Sequence, residues 1–354
     1  MSVDFGRPVA VLGRRTGPFS LRMDVRVAVV VTVMVVAALG ITLTALMVGD
    51  YQVSAGGVFR AIFTEATTRV EHREHYVVVT KRLPRALLAV LLGIALGISG
   101  AVIQSLTRNP LGSPDVIGFN IGAYTGALVV IVLGGGSAVL GQSGGALVGG
   151  IATALAVYFL AYRQGVQGFR LIIVGIGLSA MLASFNTWLI LTADLDTAMS
   201  AAAWGAGSLS TSTWAQVWIA VVVLVVLAVA LVPYAGRMKL LEMGDDAATA
   251  LGVRAERTRL VLLILGVALT ALATAIAGPI AFVALAAPQL AKRLTRTAGV
   301  SLVPAAAMGA LLLSASDLVA QRLFAPTQLP VGVVTVSIGG LYLVWLVARE
   351  TRRN

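Results

Sequence analysis

The sequence predicts an all-α, polytopic membrane protein with about ten transmembrane helices, and two observations carry that prediction. Of the 354 residues, 58% are hydrophobic and only 12% charged, with mean hydropathy +0.94. A soluble domain of this size needs far more polar surface. Apolar runs of about 20 residues also recur along the chain, each long enough to cross a hydrocarbon core of roughly 30 Å.

The elements follow in chain order. A basic leader, 1–26, carries Arg7, Arg14, Arg15, Arg22 and Arg26. Its Arg14–Arg15 pair has the look of a twin-arginine export signal. The apolar run behind it, 27–48, is longer than a signal-peptide core and lacks a convincing cleavage site, so it is expected to be a first transmembrane helix. Further spans are expected at 86–106, 115–133, 145–161, 171–192, 214–234, 259–277, 280–295, 301–321 and 331–348, forming one transmembrane domain over 27–349 with a short tail, 350–354. An even number of spans puts both termini on one side. The positive-inside rule makes that side cytoplasmic, because 19 of the 26 basic residues then fall inside. The outer loops 134–144 and 193–213 hold no basic residue, and the second carries Asp194 and Asp196.

The exceptions are concentrated. Six of the seven outer basic residues lie between Arg60 and Arg85, and the seventh is Arg322. In "VVVTKRLPRALLAVLLG", Lys81, Arg82 and Arg85 crowd the entrance of the second span. Either they snorkel into lipid headgroups or they serve a function at the outer mouth. Inside the bundle, "GIALG" (Gly93 to Gly97) and "GALVG" (Gly145 to Gly149) have the small-xxx-small spacing that lets helix backbones approach closely.

Several function classes drop out. A net charge of +11 would suggest nucleic acid in a soluble protein, but here the basic residues sit at helix ends and anchor topology. The absence of cysteine excludes disulfides, thiolate metal sites and thiol catalysis. His72 and His75, in "EHREH", lack the order of a zinc-protease HExxH and read as a solvated outer loop. No metal or catalytic residue is therefore expected.

Two polar features remain. Asp317, in "SASDLVAQR", is the main ionisable residue inside a span and a functional suspect for that reason. Ser314 and Ser316 are placed to satisfy it, and an ion-coupled secondary transporter using Asp317 is the alternative to carry forward. Asp115 follows a Ser-Pro step and reads as a helix-start residue. The longest cytoplasmic loop, about 236–258, contains "MKLLEMGDDAATALGVRAERTR". Gly244 precedes Asp245 and Asp246, which open a short helix that Gly252 is placed to end. Leu241, Met243, Ala247, Ala248 and Leu251 offer apolar contact on an element too short to span anything, which suits docking into a partner's groove. The chain has no GxxxxGK[ST] phosphate loop, so any nucleotide must be hydrolysed by another subunit.

At this point the residues resemble a known family. "RLPRALLAVLLGIALGISGAVIQSLTRNPLGSPDVIGFNIGA", "LEMGDDAATALGV", "AGPIAFVALAAPQLAKRL" and "QLPVGVVTVSIGGLYLVWL" are similar to the signature of the iron-siderophore and vitamin B12 ABC importer permeases. The wording is nearest the ferric-enterobactin type, whose subunit pairs with a second, different permease. The resemblance implies the ten-helix B12/siderophore-importer permease fold in the bacterial cytoplasmic membrane. It also implies two ATPase subunits, which bind the ATP, an extracytoplasmic siderophore-binding protein, and no cofactor in this chain. By the same resemblance Arg82 and Arg85 of "RLPR" lie at the outer mouth and pair with glutamates of the binding protein, and Leu240–Val253 docks on the ATPase. Within that loop the coupling residues are Leu241, Met243, Gly244, Asp245, Ala248, Leu251 and Gly252. Asp317 matches an acid common in the family. Where many members then have an arginine, this chain has Gln321 followed by Arg322, which is assigned to the docking surface. Gln289 stands where the family has histidine. Vitamin B12 or haem remains the alternative cargo.

Overall fold

A computed structural model describes residues 9–12, 21–133, 139–161 and 168–351. Arg7, Arg14, Arg15, Arg163, Arg352 and Arg353 lie outside the described residues. Strands β1 (Val9–Leu12) and β2 (Leu21–Asp24) pair antiparallel, with Val9 opposite Asp24. The Asp24 carboxylate then caps the first helix by accepting from the Arg26 amide at 2.9 Å.

The remaining described elements are helical. They run α1 Val25–Met47, α2 Ala55–Phe63, α3 Arg69–His75, a π-helical stretch Tyr76–Arg82, and α4 Leu83–Thr107. Then come α5 Phe119–Leu133, α6 Val139–Ala161, α7 Gly168–Thr192, α8 Leu195–Gly205, α9 Trp214–Glu242 and α10 Asp245–Ala250. The chain closes with α11 Ala255–Ala277, α12 Val283–Thr295, α13 Leu302–Arg322 and α14 Val331–Thr351. All ten expected spans are helices, and among the described residues seven helices are long and apolar enough to cross a membrane.

α4 is the central pillar. It is buried from Leu88 to Leu106 by α9, α11, α12 and α13. The glycine spacing works as expected: a Cβ on Gly97 would lie 2.2 Å from the Ala305 carbonyl oxygen, and one on Gly149 would lie 2.3 Å from that of Gly122. Only glycine lets α4 meet α13, and α6 meet α5, backbone to backbone. At the periphery α1 exposes Val29, Val33 and Val36, the surface expected of a helix whose neighbour is hydrocarbon.

Besides the β1–β2 pair, the helix α8 within the expected outer loop 193–213, the 15-residue α5 and the longer α9, two segments differ from the expectation in ways that bear on the site. "EHREH" is not a loop: Thr68 and Glu71 form a reciprocal capping box that starts α3. The helix then runs without a break through the π-stretch into α4. Pro84 explains the wider turn, because it cannot donate and its ring would clash with the carbonyl four residues back. One extra residue per turn relieves that crowding, and the Leu83 amide bonds Val78 instead. The second difference is α12, whose 13 residues span roughly 20 Å. That falls short of a bilayer core, because the chain breaks at Gly278 (φ +73°) and Phe282 (φ +68°).

Candidate functional site

Polar chemistry collects at the two ends of the bundle and at one internal break. At the end expected to face outward, Arg82 and Arg322 close around the linker after α1. Arg82 donates to the carbonyls of Leu46 at 2.7 Å and Tyr51 at 2.6 Å. Arg322 donates to the Val48 carbonyl and lies 3.8 Å from the Asp50 carboxylate. The last carbonyls of a helix have no partners within it and carry partial negative charge. The two guanidinia satisfy them while staying half-exposed.

Arg85 behaves differently. It is 9% exposed and reaches across to Asp317, itself 2% exposed. Nε lies 3.1 Å from both carboxylate oxygens and Nη2 2.9 Å from one of them. Its remaining arm donates to Gln328 Oε1 at 2.7 Å, and Gln321 Nε2 donates to Asp317 at 2.7 Å. Asp317 is thus held by Arg85 and Gln321. The expected serines do not serve it: Ser314 Oγ has no partner among the described residues. Gln321, where many members of the wider family but not the ferric-enterobactin type carry arginine, supplies a neutral donor to a carboxylate whose charge Arg85 already balances. Lys81 points outward, with its ammonium 5.6 Å from the Tyr76 ring centre. His75 is tied to the Ala61 carbonyl at 2.8 Å, joining α3 to α2.

At the opposite end, α9 runs further than expected and α10 follows after Gly244. Gly244 (φ +120°) and Gly252 (φ +83°) bracket α10 in conformations that side chains rarely adopt. The expected apolar stripe divides into two. Leu241 and Ala248 are buried, whereas Met243 and Leu251 are 70% and 60% exposed and face away from the bundle. Asp245 clamps α10 to two other helices, accepting from Arg259 at 2.7 Å and from Arg108. Arg108 also donates to the Leu241 carbonyl at 2.9 Å. Burial pushes the Asp245 carboxyl up, but the hydrogen bonds and charges of Arg259 and Arg108 outweigh it and hold it below the usual carboxylate range. The sequence reading counted both arginines only as topology charges and missed this clamp.

The internal break is pinned by Asp115. Its carboxylate accepts from the Phe282 amide at 3.2 Å, where α12 begins, and from the Asn120 side chain. Asn120 in turn accepts from Thr274 at 3.4 Å. Non-helical backbone at membrane depth persists only where protein groups replace the missing hydrogen bonds, and an acid at a helix start also suits the helix dipole. Below it, Gln289 donates to Gln104 at 2.6 Å, and Gln104 donates to the Leu285 carbonyl at 3.0 Å. Gln289 therefore has a bracing role at the place where the resembled family carries histidine.

Comparison with known proteins decides the family. The model of the FecCD transport family matches residues 27–349. The chain belongs to the FecCD transport family. It is 52% identical over 307 residues to the ferric enterobactin transport system permease protein FepG of Escherichia coli K12, covering 86% of this chain and 91% of that one. It is 36% identical to the Fe(3+) dicitrate transport system permease protein FecD of the same organism, covering 82% and 90%. A metal-chelate type ABC transporter solved in an inward-facing conformation superposes with a TM-score of 0.79 at 26% identity, covering 91% of this chain and 99% of that one.

Proposed function

We propose that this FecCD-family chain is the permease subunit of an ABC importer that carries a ferric siderophore, of the enterobactin-like catecholate class, into the cytoplasm. The observation that carries this reading is the 52% identity with FepG across nearly the whole of both chains. The chain has no nucleotide-binding motif, so two ATPase subunits bind and hydrolyse ATP. A second, different permease completes the pathway, and an extracytoplasmic binding protein delivers the cargo. Both termini lie in the cytoplasm of a bacterium, and the protein sits in its cytoplasmic membrane.

Within this reading the mouth built from Arg82, Arg85 and Arg322 faces the binding protein. Arg82 and Arg322 present charge to it, and Arg85 holds the mouth in shape through Asp317. The exposed Met243 and Leu251 enter the ATPase groove, and Gly244, Asp245 and Gly252 hold them there, with Leu241 and Ala248 as the inner face of the same segment. A strain lacking the gene is expected to lose uptake of radiolabelled ferric enterobactin and to keep uptake of vitamin B12. Restoring the gene returns the first activity. Loss of B12 uptake with ferric catecholate uptake intact would overturn the substrate assignment.

A further inference from the structure

A lateral groove between α6, α9 and α11, about 470 Å³ in volume, plays no part in the reading above. Its seventeen lining residues include no charge, and Tyr158 is its one polar member. Ile151, Leu155, Ile219 and Ile264 are each about half exposed along it, so it opens sideways rather than into the bundle. On α11 the lining runs from Leu260 to Ile276, roughly 24 Å at the helical rise.

The two ends of the groove differ. One is closed where Ser143 donates to the Ala275 carbonyl at 2.6 Å. At the other, the groove continues into a small cleft that shares Tyr158 and Leu263 with it and is also lined by Arg259. Arg257 is exposed and lies three residues before Leu260 and seven before Ile264, which puts it on the same face of α11, one turn below the groove. An apolar slot with an exposed arginine, Arg257, one turn before its Leu260 end matches an acyl chain joined to an anionic headgroup.

We propose that this groove is a binding site for one anionic glycerophospholipid, with an acyl chain along α11 and the phosphodiester at Arg257. The lipid belongs to the leaflet in which Arg257 lies, the cytoplasmic one in the arrangement proposed above. It fills the gap between α6 and α11 beside the arginine that clamps Asp245.

The test uses the assembled transporter, delipidated in detergent and titrated with phosphatidylglycerol or phosphatidylcholine, with bound lipid counted by native mass spectrometry. A basic residue near a lipid surface contributes about 1 kcal/mol, so phosphatidylglycerol is expected to bind about fivefold tighter. Arg257→Gln should equalise the two lipids while retaining both. Ile264→Trp and Leu155→Trp, which fill the groove from opposite walls, should each displace both lipids. Because the chain has no cysteine, Ile264→Cys, labelled with a thiol-reactive fluorophore before assembly, gives one reporter on this chain, whose fluorescence brominated phosphatidylglycerol is expected to quench. Equal binding of the two lipids by the unmodified transporter would overturn the proposal. So would lipid retention in both tryptophan variants, or cross-linking of the 264 cysteine to another subunit.

Discussion

At the scale of single residues, the two arginines of "RLPR" have separate jobs although three positions apart. Arg82 serves carbonyls at a half-exposed rim, and Arg85 is committed to a buried carboxylate. Removing one partner of such a pair strands the other charge, which typically costs about 3–5 kcal/mol, whereas replacing both by apolar groups of similar size is often neutral. Arg85→Ala is therefore expected to lower the thermal stability of the detergent-solubilised protein by that amount. The double variant Arg85→Met with Asp317→Leu should recover most of the loss, as read from unfolding followed by tryptophan fluorescence. A single variant as stable as the parent would show that the pair holds nothing together.

At the scale of elements, the sequence was most legible where glycine marks backbone geometry and least where a contact spans distant parts of the chain. Gly244 and Gly252 bracket α10 as their positions imply, and Gly93–Gly97 and Gly145–Gly149 lie at close helix contacts, although the tightest approach, Gly100 against the Ala284 carbonyl, lies outside both motifs. The shortness of α12 was hidden because Gly278 to Phe282 lies within an apolar string, and its pin, Asp115, is 167 residues away. The partner of Asp317 was hidden for the same reason, 232 residues from it. Gly244 also makes a testable separation between space and conformation. A Cβ there meets nothing within 4 Å, so only its positive φ resists substitution, by roughly 1–3 kcal/mol. Gly244→Ala should depress binding-protein-stimulated ATP hydrolysis while the protein still inserts. Gly236→Ala, in equally open space within α9 but at ordinary helical φ, should leave hydrolysis unchanged and add about 0.5–1 kcal/mol of stability. Equal coupling in both variants would remove the linker from the coupling path.

At the scale of the whole molecule, the proposed function asks the same bundle to receive a partner at one end and transmit force at the other. α4 joins them, with Arg82 and Arg85 at its entry and Arg108 at its exit, where the Asp245 clamp begins. Within the proposed function, the glycine-packed contact along α4 is the route by which a tilt at α10 would reach the mouth. In the function proposed above, the mouth charges would govern encounter with the binding protein more than final affinity, because rim charges act mainly on association rate and its salt dependence. Reversing Arg82 and Arg322 together should slow association of the binding protein with the reconstituted transporter several-fold at low salt. It should also flatten the decline of that rate with added salt, with dissociation little changed. The Arg→Lys pair keeps the charge and should keep the steering, even where the carbonyl contacts of Arg82 are weakened. If the reversed pair associates at the parent's rate and with the parent's salt dependence, these arginines serve only to cap α1, and the binding protein reads some other part of the surface.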